Sequence, residues 1–175
     1  MIRPTGRSLK QTPNSSLRLG QLHKLLTARN DTAELYRYHP RLMAWLARQD
    51  DGEGLSRLLK LLRATEPTFQ LNDPELALQC ADTLYHAGHY RAALRLLQDF
   101  HKRFPDSSQL APAYLLAARA LANGLQQWDK ASAFLQFINK RCTDHPLHQQ
   151  IDSWLEQAKN HQPLKGPKAN FQVSD

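Results

Sequence analysis

Residues 74–106 read PELALQCADTLYHAGHYRAALRLLQDFHKRFPD, and this stretch decides the fold. Asp73 stands directly before Pro74 and Glu75. An Asp cap, a proline at the first helical position and an acid in the first turn open a helix, because they serve its unpaired N–H groups and the positive end of its dipole. Leu76, Leu78, Ala81, Leu84 and Tyr85 follow at helical spacing up to Gly88, a residue that ends helices without steric penalty. Tyr90 opens a second helix, which carries Ala93, Leu94, Leu97 and Phe100 as far as Phe104-Pro105. The pattern predicts two helices of similar length joined by a tight turn, which pack antiparallel.

The same rhythm extends in both directions. Toward the C-terminus, one helix is expected from Leu110 to Asn123-Gly124, its partner from Trp128 to about Arg141, and a last one from near Pro146 through Ile151, Trp154 and Leu155. Toward the N-terminus, Leu55, Leu58, Leu59, Leu61 and Leu62 form an amphipathic helix ended by Pro67. Before it, Pro40 suits the first turn of a helix carrying Leu42, Met43, Trp45 and Leu46, with His39-Pro40 separating it from a short helix capped by Asn30 or Asp31. Leu17, Leu19, Leu22, Leu25 and Leu26 make one face of a first helix after the cap candidates Ser15 and Ser16. No segment alternates with period two over any length, and no βαβ rhythm occurs, so the expected class is all-α. The expected organisation is an arm over 1–16, one helical domain over 17–161 and a tail over 162–175, the arm and tail being too polar to offset the entropy of ordering.

Charge is placed at the ends. The chain carries a formal +7, yet residues 30–158 hold 14 basic and 15 acidic side chains, while residues 1–29 hold six basic ones and no acid. A balanced body argues against a nucleic-acid platform built on the fold itself. Cys80 and Cys142 are the only cysteines and form no CxxC pair, which argues against a zinc ribbon and a disulfide scaffold; both read as buried or half-buried thiols, a reading that fits a reducing compartment without requiring one. No apolar run reaches the roughly 20 residues of a membrane span, and the N-terminal residues lack the apolar stretch of a signal peptide.

The 74–106 stretch resembles a unit of the tetratricopeptide-repeat (TPR) family. Ala81 and Ala93 stand at its small positions, Gly88 and Tyr90 at its turn, Leu97 and Phe100 at its large apolar positions and Pro105 at its close. Ala77 departs from the large aromatic usual early in the first helix. A second unit over 111–146 has Ala117, Ala120, Trp128, Ala131, Leu135 and Pro146 in the matching parts, and RFPDSSQLAPAYLLAA looks like the junction between units in bacterial TPR proteins of cell-envelope assembly. A third, degenerate unit before them would have Gly54 in the part of Gly88, 34 residues later. The resemblance implies antiparallel helix pairs stacked as a short right-handed solenoid with helical caps, and an adaptor that binds a partner protein or peptide in its concave groove. It further implies a cytoplasmic scaffold, in some members peripheral to the inner membrane. It implies no catalysis and no cofactor.

The first helix of each TPR unit lines the concave face, so the resemblance implies Leu78, Asp82, Tyr85, His86, Tyr114, Ala118 and Leu121 as partner-binding positions. Periodicity assigns Ala77, Ala81 and Leu84 to the buried stripe and the Leu78, Asp82, Tyr85 stripe to solvent, since burying an unpaired Asp is costly. The eight histidines suggest metal, but His86 and His89 straddle Gly88, and the set around Cys142, Asp144, His145 and His148 lacks the spacing of a zinc site. HExxH, GxSxG and a Gly-rich phosphate loop are all absent. The three tryptophans lie within apolar helical patterns and are expected in the core. The basic arm offers a second function of another class: Arg3, Arg7, Lys10, Arg18 and Lys24 would contact nucleic acid or an anionic membrane surface by charge, with the helical body as a docking or dimerisation unit.

Overall fold

The computed structural model describes residues 13–141, 143 and 146–165, with side chains from residue 18 onward. Arg3, Arg7, Lys10, Cys142, Asp144, His145, the side chain of Leu17 and the tail beyond residue 165 therefore lie outside the described residues.

The described residues are helical and contain no strand. In chain order the elements are α1 (Pro13–Arg29), α2 (Thr32–Arg48), α3 (Gly52–Thr65), α4 (Pro74–His86), α5 (Tyr90–Leu96), α6 (Phe100–Arg103), α7 (Leu110–Arg119), a π-helical segment (Ala120–Gly124), α8 (Trp128–Arg141) and α9 (His148–Lys159). The starts of α2, α3 and α4 follow from acidic caps. Asp31 accepts from the Glu34 N–H at 3.2 Å, Asp51 from Gly54 N–H at 2.8 Å, and Asp73 from Glu75 N–H at 2.9 Å. Each satisfies a donor that the helix leaves open.

Packing follows a regular order. Helix α2 packs on α3, α4 on α5, and α7 on α8, with α1 covering α2 and α9 covering α8. Between pairs, α4 touches both α2 and α3, α7 touches α4 and α6, and the π-helical segment touches α5. Helix α4 therefore has neighbours on several sides. Leu76, Ala77, Leu78, Cys80, Ala81, Thr83 and Leu84 are all buried along it. The predicted small residues Ala81 and Ala93 are fully buried. Gly52 lets the start of α3 meet the end of α4: a Cβ there would collide with the Ala87 Cβ.

Several expectations need correction. Helix α1 begins at Pro13, before Ser15 and Ser16, and its Leu25 points outward at 47 % exposure while Leu26 is buried. Helix α2 runs unbroken through His39-Pro40. Proline leaves the Tyr36 carbonyl without its helical partner, and the His39 Nδ1–H donates to that oxygen at 2.5 Å. Leu35, Leu42, Met43 and Leu46 meanwhile keep one buried stripe on both sides of the proline. Gly54 ends no helix; it lies in the first turn of α3, against Asp51 and Leu46, so its spacing to Gly88 is coincidental.

The helix expected from Tyr90 to Phe104 is broken. Leu97, Gln98 and Asp99 leave the helical path, Asp99 taking a left-handed conformation at φ 53°. The carbonyls freed there are met from outside: Arg95 O by Gln70 Nε2–H at 2.8 Å, Leu96 O by Arg103 Nη2–H at 2.6 Å, and Gln98 O by Arg103 Nε–H at 3.2 Å. The same guanidinium donates from Nη1 to Leu71 O at 2.9 Å, tying the break to the loop before α4.

The tail does not begin at 162. Leu164 is 1 % exposed, and the backbone of residues 164–165 is bonded to the folded body. One leucine and a set of long-range hydrogen bonds order a segment whose composition alone reads as loose.

Candidate functional site

Four of the seven predicted concave positions are interior. Leu78, Ala118 and Leu121 are at most 5 % exposed, and Tyr114 is buried among α6, α7 and α8, bonding His101 Nδ1 through its hydroxyl and lying against Phe134 and Phe137. Burial raises the Tyr114 phenol above its ordinary range, with Arg141 acting in the opposite sense. Helices α4 and α7 each have neighbours on several sides and bury more than one stripe. This takes Leu78 off the solvent side to which periodicity assigns it, and Tyr114, Ala118 and Leu121 out of the concave face that the TPR resemblance implies.

The other three positions do come together at the surface. Asp82 and Tyr85 are half-buried and His86 is exposed, all on the last turns of α4. Asp82 Oδ1 and His86 Nε2 lie 3.5 Å from each other, one turn apart on the helix. The Tyr85 ring lies 5.3 Å from His86 and 5.5 Å from Tyr90. Tyr90 in turn covers Gly124, where a Cβ would run into its ring.

The central cation of this patch was not anticipated. Arg119, at the end of α7, places its guanidinium 5.2 Å from the Tyr85 ring centroid and 5.8 Å from the Trp154 centroid. Its Nε has no hydrogen-bond partner among the described residues. That Nε is itself buried, and the guanidinium is oriented by the two aromatic rings. The signal was present: Arg119 is the one charged residue in LAPAYLLAARALA. It lies one position from Ala118, hence about 100° away around the helix from the predicted stripe.

Elsewhere, Cys80 is fully buried, its Sγ 3.9 Å from Met43 O, and burial pushes its thiol up to about 12. Among the described residues no three His, Cys, Asp or Glu side chains are grouped to hold a metal ion. No described helix is long and apolar enough to cross a membrane. Of the basic arm, Arg18 and Lys24 are exposed on α1, alongside Arg29 and Leu25. No protein-family profile, characterised protein or solved structure matches the chain.

Proposed function

We propose that this chain is a short TPR-like solenoid that holds a partner protein or peptide. The observation that carries this function is the packing order: the first helix of each later pair, α4 and then α7, packs on its own partner and also on the preceding pair. That is how a stack of helical pairs buries a continuous core. The partner-binding surface is the patch formed by Asp82, Tyr85, His86 and Arg119, where a half-buried cation lies against the Tyr85 ring. Aromatic and arginine side chains of this kind dominate recognition surfaces. The half-buried Asp82 beside it disfavours a bare carboxylate terminus as the group bound there.

The test is an Asp82→Ala, Tyr85→Ala double variant compared with the parent chain in partner capture, with helicity monitored by circular dichroism. The expected outcome is native helicity and the loss of at least one partner that the parent chain captures. Native helicity with an unchanged set of captured proteins would remove this surface from the function.

A second function is supported by α1. Its outer side carries Arg18, Lys24 and Arg29 together with the half-exposed Leu25. Basic charge beside an exposed aliphatic side chain suits an anionic membrane surface better than a nucleic acid. Arg18→Glu with Lys24→Glu would then abolish pelleting with phosphatidylserine vesicles; unchanged pelleting would discard the idea.

A further inference from the structure

Residues 161–165 leave α9 and run back over the molecule. His161 reverses the chain at φ 53° and stacks on Trp128 at 5.8 Å. The chain then meets three side chains. Asn123 donates from Nδ2 to Leu164 O at 3.2 Å and accepts at Oδ1 from Leu164 N–H at 2.8 Å. Gln157 Oε1 accepts from Lys165 N–H at 2.9 Å, and Trp154 Nε1–H donates to Lys165 O at 3.1 Å. All four backbone polar groups of two consecutive residues are therefore satisfied by side chains of the helical body.

Only one side chain of this segment is read. Leu164 is buried, while Gln162, Pro163 and Lys165 are exposed. Backbone pairing that ignores side-chain identity, combined with a pocket for a particular side chain, is one of the ways in which proteins read extended peptides. The site is also continuous with the patch on α4 and α7. Trp154 binds Lys165 O through its indole N–H and carries the Arg119 guanidinium beside its ring.

We propose that Asn123, Trp154 and Gln157 form a clamp for an extended, leucine-bearing peptide, that residues 163–165 fill it in cis, and that a partner's segment of the same chemistry takes it by displacing them. The clamp rests on the partner-binding function above only for the existence of that partner. The cis segment is held by one buried leucine and four hydrogen bonds to its backbone, so displacement needs only this short stretch to detach while the helical body stays folded. Once it opens, the Asn123 amide, the Gln157 Oε1 and the Trp154 indole N–H lose these partners and face any backbone that brings a leucine.

The test needs no partner, so its failure is separable from that of the patch on α4. The probe is a fluorescein-labelled peptide of sequence HQPLKGPK, read by anisotropy against the full chain. The full-length Leu164→Asp variant, whose own segment is released, is expected to bind it at least tenfold more tightly than the parent chain. Asn123→Ala in that background is expected to weaken binding at least tenfold, and a probe with Asp in place of leucine to bind neither protein. A helical Leu164→Asp chain that fails to bind the probe overturns the clamp. Should that variant lose its helicity, hydrogen exchange on the parent chain decides: Leu164 and Lys165 amides exchanging faster than the core of α9 support displacement, and exchange only through global unfolding overturns it. A parent-chain dimer that grows with concentration and vanishes in Leu164→Asp would make a second copy the occupant and overturn the assignment to a partner.

Discussion

Helix α2 contains a proline and stays whole; the stretch from Tyr90 to Arg103 contains none and breaks in two. Local propensity predicts the reverse. The difference lies in how many carbonyls are orphaned and what reaches them. In α2 the proline frees one carbonyl on the outer side, and His39, its immediate neighbour, bonds it while resting edge-on against Phe69 at 5.0 Å. At the α5–α6 break three carbonyls are freed, and Gln70 and Arg103 bond them. The break lets Leu96, Leu97 and Phe100 all be buried. A helix thus continues or stops according to which arrangement satisfies the backbone and fills the core, not according to the residue at the join.

The sharpest way to break this comparison is Arg103→Ala. It would leave Leu71, Leu96 and Gln98 without their donor and strip a cation from the Phe104 ring face at 5.0 Å. Urea denaturation is expected to show a loss of about 2–4 kcal/mol, since bonds from a charged donor are the strong ones and bare carbonyls are penalised. A loss below about 1 kcal/mol would mean that water serves these carbonyls as well as the guanidinium does.

A gain of about 1–3 kcal/mol is expected for Pro40→Ala, because alanine restores the missing N–H and removes the ring clash. A double-mutant cycle refines this. His39→Ala should cost about 1 kcal/mol beside Pro40 and almost nothing in the Pro40→Ala background, where the backbone itself serves Tyr36 O. Equal costs in both backgrounds would show that His39 acts through Phe69 packing and not through the carbonyl.

The smallest effect is expected at the break itself. Asp99→Gly removes a left-handed strain that an L side chain suffers and glycine does not, with the loss of an exposed ion pair to Lys102 at 2.9 Å. The denaturation midpoint should rise slightly. A clear fall would make the Lys102 pair, which also holds the Asp99 carboxyl below its usual range, a true clasp of the turn.

What could be read from the sequence was local. The start of α4 at Asp73-Pro74, the turn at Gly88 and the burial of Ala77, Ala81, Leu84 and Ala93 all depend on neighbours within a turn or two. What could not be read depends on residues far apart in the chain. Arg103 reaches Leu71 across 32 positions, and Asn123 reaches Leu164 across 41. Nothing in LKG or ANG marks those contacts. The patch was half visible for the same reason: Asp82, Tyr85 and His86 belong to one helix, while Arg119 joins them only because α7 packs on α4.

The π-helical segment carries a consequence of its own. In it Leu125 N–H reaches back to Ala120 O, and Gln127 N–H to Leu121 O, so the winding holds more residues than an α-turn would. Each added residue turns the rest of the chain by about 100° around the helix axis. Asn123 faces the C-terminal segment and Gly124 lies under Tyr90 because of that surplus, not because of any one side chain. Chain length is therefore the quantity under constraint here. A one-residue deletion from Ala120 to Ala122 would swing both contacts away together, although most single substitutions within the same stretch would leave the phase intact.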